Sequence, residues 1–208
     1  MPTKIYHITH FRNLASIIAE GGLCCDNERQ SRALEPIGIA HQHIKERRAR
    51  RTVPVDPGGT LADYVPFYFA PRSPMLFAIH KGQVVGYQGG QGEVVHLCTT
   101  AEDVAAADLS FVFSEGHAEM AISDFLNDLN DLDRVDWKIM KATYWNDTPA
   151  DGDRKRRRQA EFLVHEFLPW ARIAAIGVMN QTTADLTHRA LRGAAHKPEV
   201  LLRPGWYY

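Results

Sequence analysis

The chain has little of what marks several large protein classes. Three cysteines occur in 208 residues: Cys24, Cys25 and Cys98. An odd count with two of the three adjacent does not make a disulfide framework, so all three read as free thiols. No Cys-x-x-Cys or His-x-x-x-His spacing is present, so no metal is expected. The closest histidines, His41 and His43, would lie on different faces of a helix. No apolar run approaches the roughly 20 residues needed to cross a bilayer. The opening Met1-Pro2-Thr3-Lys4 lacks the apolar core of a signal peptide, which makes the cytoplasm the expected location. Without repeats, low-complexity tracts or a linker, the length suits one domain over residues 1–208.

Net charge is also missing: the formal total is −1, which carries no bulk attraction to a polyanion. The charges are segregated instead. Lys45, Arg47, Arg48, Arg50 and Arg51 form one basic run, and Arg154, Lys155, Arg156, Arg157 and Arg158 another, together ten of the 24 basic residues. Acidic residues gather elsewhere, at Asp124, Asp128, Asp131, Asp133 and Asp136. A single run is ordinary solvated surface. Two runs beside a candidate site suggest a polyanion.

Periodicity and breakers predict a strand over 3–8, then a helix burying Leu14, Ile17 and Ile18, with Asn13 or Thr9 near its start and Gly21-Gly22 ending it. Residues 24–36 read as an irregular loop, 37–51 as a helix with a basic end, and Pro54 to Gly59 as a turn. Strands are predicted at 65–70, 93–98, 111–113, 161–164, 173–179 and 199–202. Helices are predicted from Met75 to His80, over 116–133 with Met120, Phe125, Leu129 and Leu132 at helical spacing, and over 183–192. Residues 147–158 read as a polar loop. Helices crowd the first two thirds and strands the end, without βαβ alternation. That pattern predicts an α+β fold with a mixed or antiparallel central sheet and flanking helices.

Three segments carry chemistry jointly: Tyr6-His7-Ile8-Thr9, Tyr68-Phe69-Ala70-Pro71-Arg72-Ser73, and Gln159-Ala160-Glu161. Singly each has a bland reading: a hydrogen-bonded strand histidine, a core aromatic pair, a surface glutamate. In this order they resemble the ADP-ribosyltransferase superfamily. That chemistry needs an aromatic face for nicotinamide. It also needs a carboxylate under the ribose, where positive charge develops as the C–N glycosidic bond breaks. The segments 5–10, 63–75 and 156–164, with the closing Pro204-Gly205-Trp206-Tyr207-Tyr208, are similar to the DarT family over nearly the whole chain.

That resemblance implies transfer of ADP-ribose from NAD⁺ to a base of single-stranded DNA, thymidine in the better-matching branch. It also implies a toxin role and a macrodomain antitoxin partner. Carried over by residue, it implies Glu161 as the catalytic carboxylate and His7, Ile8 and Thr9 as NAD⁺ contacts. Tyr68 or Phe69 would wall the nicotinamide pocket. A catalytic arginine falls at Arg51, with Arg47, Arg48 and Arg50 near enough to leave the register open. These three, with Arg154, Lys155, Arg156 and Arg157, are the expected DNA-binding residues. Glu166, five residues beyond Glu161, would face the opposite side of a continuous strand. Two other readings stand beside this one: a transferase acting on protein or RNA, and a non-catalytic nucleic-acid-binding module.

Overall fold

Nearly continuous apolar runs build the middle strands. Val94–Thr100 and Ala160–His165 are buried at every position but the last, because layers cover both faces of the sheet. The computed structural model describes residues 2–39 and 42–208. Its elements in chain order are β1 (Lys4–His10), α1 (Leu14–Ala19), β2 (Gly22–Cys24), α2 (Asp26–Ser31), α3 (Gln42–Arg48), β3 (Tyr64–Tyr68), α4 (Pro74–His80), β4 (Val94–Thr100), α5 (Ala101–Ala106), β5 (Phe111–His117), β6 (Phe125–Leu126), α6 (Trp137–Met140), α7 (Arg154–Arg158), β7 (Ala160–His165), β8 (Phe167–Pro169), β9 (Ala175–Val178), α8 (Gln181–Ala190) and β10 (Glu199–Leu202).

One eight-stranded sheet runs β10-β9-β4-β1-β3-β7-β5-β6, and β2 pairs with β8 apart from it. Neighbours are antiparallel except β9 with β10. This is the mixed-sheet α+β arrangement that the sequence predicts.

The sheet is uneven at its centre. β1 pairs with β4 along its whole length, from Lys4↔Thr100 to His10↔Val94, whereas towards β3 only Tyr6↔Tyr68 is in register. The strands splay beyond that point. Pro66 has no N–H to give, and its carbonyl takes a side chain, His7 Nδ1 at 2.9 Å. A cavity opens along this seam.

Four predicted elements differ from the observed ones. Residues 24–36 are not all loop: Leu23 and Cys24 pair with Leu168 and Phe167, and Cys25 Sγ accepts from Glu28 N to cap α2. The 37–51 helix is only α3. Ile37 N is committed to Asn13 Oδ1 at 2.8 Å, and Arg51 already leads into the Thr52↔Thr60 bridge; Ala40 and His41 lie outside the described residues. No helix spans 116–133. The apolar residues at helical spacing serve separate elements: Phe125 pairs with Ser114 as β6, Asp128 caps a 3₁₀ turn over Leu129–Arg134, and Met120 is exposed. Lastly, the end of the 147–158 loop is α7.

The closing residues belong to the core. Tyr207 is buried and donates to the Val94 carbonyl at 2.8 Å. Trp206 lies so close to Gly177 that a Cβ there would stand 2.3 Å from the indole, so only glycine fits. His96, fully buried beside Tyr207 with Nε2 3.0 Å from the Pro71 carbonyl, is held at about 4 by burial. A histidine depressed this far favours the folded state above pH 6.5, and that stability is lost as pH falls towards 4, on the order of 3 kcal/mol. Thermal unfolding should therefore move steeply lower between pH 6.5 and 4. A flat profile across this window in wild type would contradict a neutral buried His96.

Candidate active site

The seam between β1 and β3 holds a cavity of about 360 Å³. Three neighbouring strands bring its chemistry together: His7 from β1, one residue past the Tyr6↔Tyr68 pair, Tyr68 from β3, and Glu161 from β7, directly across from Tyr68 in register. Glu161 is fixed by its own backbone. β5 carries an irregularity between Phe113 and His117 where it meets β7. In that bulge Ser114 Oγ donates to Gly116 O at 2.6 Å and accepts from Glu161 N at 3.2 Å.

The Glu161 side chain is 6 % exposed and pairs with Arg48, 10 % exposed, through Nη1 to Oε2 at 2.8 Å. Burial weakens the Arg48 cation, but Glu161 beside it more than offsets that, and its pKa stays raised. Arg48 Nη2 remains buried without a partner. So does Glu119 Oε1, whose sister oxygen accepts from Arg47 at 2.7 Å. Both residues line the cavity. Buried polar atoms are almost always satisfied, so two orphans on residues that line one cavity mark a place for ligand polar atoms.

His7 is held neutral. Burial lowers it to about 4, against the raising effect of its bond to the Pro66 carbonyl and with a further lowering from Arg29. A carbonyl only accepts, so Nδ1 carries the proton and Nε2 is left as an acceptor. Burial and then Glu161 push the Tyr68 phenol far up, so it stays an uncharged aromatic wall. Thr9 Oγ1 accepts from Asn13 Nδ2 at 3.0 Å. Asn13 in turn bonds Ile37 N and O, tethering the 36–39 segment over the cavity.

Several residues stand elsewhere than expected. Phe69 does not reach the cavity; it is buried edge-on against Phe113, Trp137 and Phe162 in the core, because the alternation of β3 turns Tyr68 one way and Phe69 the other. Arg51 turns away, donating to Ala118 O and Met120 O at 3.2 Å each and stacking over Phe125. The arginine at the carboxylate is Arg48, one helical turn earlier. Glu166 is exposed in a left-handed turn at φ 56°, off the site.

The second basic run is largely internal. Arg156 is 12 % exposed, bound to Asp153 by Nε and Nη2 at 2.7 Å and to Glu115 by Nη1 at 2.6 Å. Its guanidinium packs on Gly116, where a Cβ would come within 2.2 Å. Arg157 binds Asp136 and Asp151, and Arg158 donates to the carbonyls of Ile139, Met140 and Arg72. Arg154 holds Tyr144 O and Asn146 O. Only Lys155 of this run is exposed to solvent, with Arg47 and Arg50 from the first. These ties brace the chain entering Gln159-Ala160-Glu161. Arg156 and Arg157, expected at DNA, are occupied by carboxylates in the structure and brace this segment.

Among the residues that line the cavity, Arg29, His117 and Glu119 carry no signal in the sequence, and Lys45 is marked there only as part of the basic run. Glu119 and His117 were hidden by the false helix over 116–133. Among the described residues no group of three or more metal-ligating side chains comes together.

The sequence model of the family described as ssDNA thymidine ADP-ribosyltransferase, DarT, matches residues 6–208. The chain belongs to the DarT family. The DNA ADP-ribosyl transferase of Thermus sp. (strain 2.9) is 43 % identical, with coverage of 100 % of this chain and 97 % of that protein. The solved structure of Thermus sp. 2.9 DarT in complex with ADP-ribosylated ssDNA superposes with a TM-score of 0.92 at 42 % identity, over 100 % of this chain and 97 % of that one. The same DarT in complex with NAD⁺ gives 0.88 at 40 % identity, over 100 % and 98 %.

Proposed function

We propose that this protein transfers the ADP-ribose of NAD⁺ to a base of single-stranded DNA, thymidine in particular, and acts as a toxin countered by a macrodomain antitoxin. The observation that carries the reading is the buried Glu161–Arg48 pair in the cavity of the β1–β3 seam, in a chain of this family.

The chemistry follows from the placement. The glycosidic bond from ribose C1′ to the nicotinamide nitrogen breaks, and its electron pair leaves with nicotinamide. The sugar becomes oxocarbenium-like, and the base attacks C1′ and gives up a proton. Glu161 is set to bind the ribose hydroxyls and stabilise the cationic sugar. Arg48 holds that carboxylate ionised and in place, and its free Nη2 is available to a substrate oxygen. Tyr68 walls the nicotinamide, with His7 Nε2 and the edge of β1 at Ile8 and Thr9, buried but unpaired towards β3, as polar anchors. A single strand suits this site, since a duplex must first flip its base at a cost of a few kcal/mol.

The DNA contacts fall to the exposed cations Arg50 and Lys155, with Arg154 and the Glu119-paired Arg47 beside them, and to Met120 and Ile122, exposed apolar residues that follow Glu119 at the cavity rim. Charge for phosphates and apolar surface for unstacked bases is what a single strand requires. Neutralising Arg50 and Lys155 should flatten the salt dependence of DNA affinity by a slope of about 0.7 per lost contact. Neutralising Arg156 should leave that slope unchanged while lowering stability. The reverse pattern would return the α7 arginines to the DNA surface.

Incubation with NAD⁺ and a panel of single-stranded and duplex oligonucleotides, followed by mass measurement of the products, tests the function directly. A mass gain of one ADP-ribose on thymidine-containing single strands is expected. Equal rates on duplex, or labelling of protein with no labelling of DNA, would overturn the assignment.

A further inference from the structure

The cavity wall on the β3 side has little hold on the sheet. β3 pairs with β7 from Tyr64↔His165 to Tyr68↔Glu161, and with β1 only at Tyr6↔Tyr68. Beyond Tyr68 the chain leaves both neighbours and turns through residues 69–73 into α4, whose Pro74, Met75 and Ala78 complete the wall. The backbone ladder thus ends on the pair that faces the chemistry, Tyr68 with Glu161. A rung of side chains follows it. Arg158, just ahead of Glu161, donates from Nη2 to the Arg72 carbonyl, just after Tyr68, at 2.8 Å. The Tyr208 hydroxyl donates to the same carbonyl at 3.1 Å, so both of its lone pairs are taken.

Neither donor is placed there for stability alone. Arg158 is buried and has no carboxylate partner among the described residues. Its Nη1 goes to the Ile139 carbonyl at 2.7 Å, and its Nε has no acceptor. Burial lowers its pKa, and the Tyr208 phenol beside it acts in the other direction. A buried cation without a counter-charge is destabilising, and an apolar side chain of similar size would hold a core better. What the guanidinium adds is a fork that reaches the end of α6 with one nitrogen and the Arg72 carbonyl with the other. Tyr208 is itself fixed: its backbone N–H donates to Gln91 Oε1 at 3.0 Å, and its ring meets Phe77 of α4 edge-on at 5.0 Å.

We propose that Arg158 and Tyr208 are positioning residues for the transfer reaction: by filling the Arg72 carbonyl from two sides they hold the Tyr68–Met75 wall at a set distance from Glu161. This rests on the proposed reading that NAD⁺ is the substrate and that Glu161 meets its nicotinamide ribose. Neither residue lines the cavity, so both act through the wall. The nicotinamide against Tyr68 and the ribose against Glu161 are joined by the bond that breaks. A wall that drifts by about 1 Å misaligns that bond, an error that can cost on the order of 10²-fold in rate.

The test compares wild type, Arg158→Met, Tyr208→Phe and the double variant, well below the unfolding temperature of each. Transfer from NAD⁺ to a single-stranded oligonucleotide is measured over a range of NAD⁺. Arg158→Met should lower kcat on the order of tenfold or more, with KM for NAD⁺ within about twofold of wild type. Tyr208→Phe keeps the ring on Phe77 and loses only the hydroxyl, so its kcat should fall about threefold or more, again with little change in KM. The double variant should depart from the product of the two losses, because both donors act on one carbonyl. A purely structural role would instead lower the unfolding temperature and leave kcat of the folded protein intact. Wild-type kcat in either folded variant, a loss confined to KM, or strictly multiplicative losses would overturn the proposal. If Arg158→Met does not fold, Tyr208→Phe decides alone. If wild type transfers nothing from NAD⁺ to DNA, the substrate reading fails first, and the positioning role with it.

Discussion

Glu161→Gln is expected to lower transfer to DNA by at least about 10²–10³-fold, with NAD⁺ still bound. Glutamine keeps the shape and one acceptor oxygen but removes the charge that meets the cationic sugar. The loss therefore falls in kcat, where an interaction made only in the transition state is read. Single-turnover transfer from NAD⁺ to a thymidine-containing oligonucleotide measures it. A variant within tenfold of wild type would end the role given to Glu161.

The same substitution should also disturb the fold, an effect that its place at a strand start does not suggest. Glu161 and Arg48 form a buried ion pair, and removing one partner strands the other. Breaking such a pair costs about 3 kcal/mol where no water or ligand reaches the orphan. Arg48 faces a cavity that water can enter, which softens the cost. Replacing both, as Glu161→Gln with Arg48→Met, should recover much of the thermal stability and none of the activity. Recovery of stability without activity separates the carboxylate's chemical role from its structural one.

The sequence is legible where one residue type carries one meaning. The alternating and apolar runs of β1, β3, β4 and β7 set the sheet, and the set His7, Tyr68, Glu161 is readable because three strand segments in a fixed order are needed together. Legibility ends where side chains choose among partners. Arg154 to Arg158 look like a polyanion surface in one dimension. In space Asp153, Asp136, Asp151 and Glu115 consume the charge of Arg156 and Arg157, and backbone carbonyls take Arg158. The acidic cluster and the basic run, segregated in the sequence, meet in space through Asp136 and Arg157. Met120, Phe125, Leu129 and Leu132 show a second kind of failure: helical spacing arose from residues serving a rim, a strand and a 3₁₀ turn. Register is the third. An arginine run at the end of a helix presents a new side chain every 100° or so. Which one meets the carboxylate depends on where the helix ends, and no local residue announces that.

That register yields the sharpest contrast between neighbouring residues. Arg48→Ala is expected to abolish transfer even at saturating NAD⁺ and DNA, whereas Arg51→Ala should leave the chemical step close to wild type. α3 ends at Arg48, so the Arg48 guanidinium lies inside the seam, 2.8 Å from Glu161, with a second nitrogen free for substrate. Three residues on, past the end of the helix, Arg51 donates to the Ala118 and Met120 carbonyls and covers Phe125. Its removal loosens the 118–125 turn and should lower stability by on the order of 1–2 kcal/mol, with no reacting group lost. The turn carries Glu119 and the apolar rim, so the visible functional effect of Arg51→Ala should be weaker DNA affinity, read as a raised KM for DNA. Arg48→Lys sharpens the contrast. It keeps the charge but not the fork that reaches Glu161 with one nitrogen and substrate with the other, so it should restore stability and only a small fraction of the rate. Loss of the chemical step in Arg51→Ala together with its survival in Arg48→Ala would place the catalytic arginine one turn later and overturn the geometry described for the cavity.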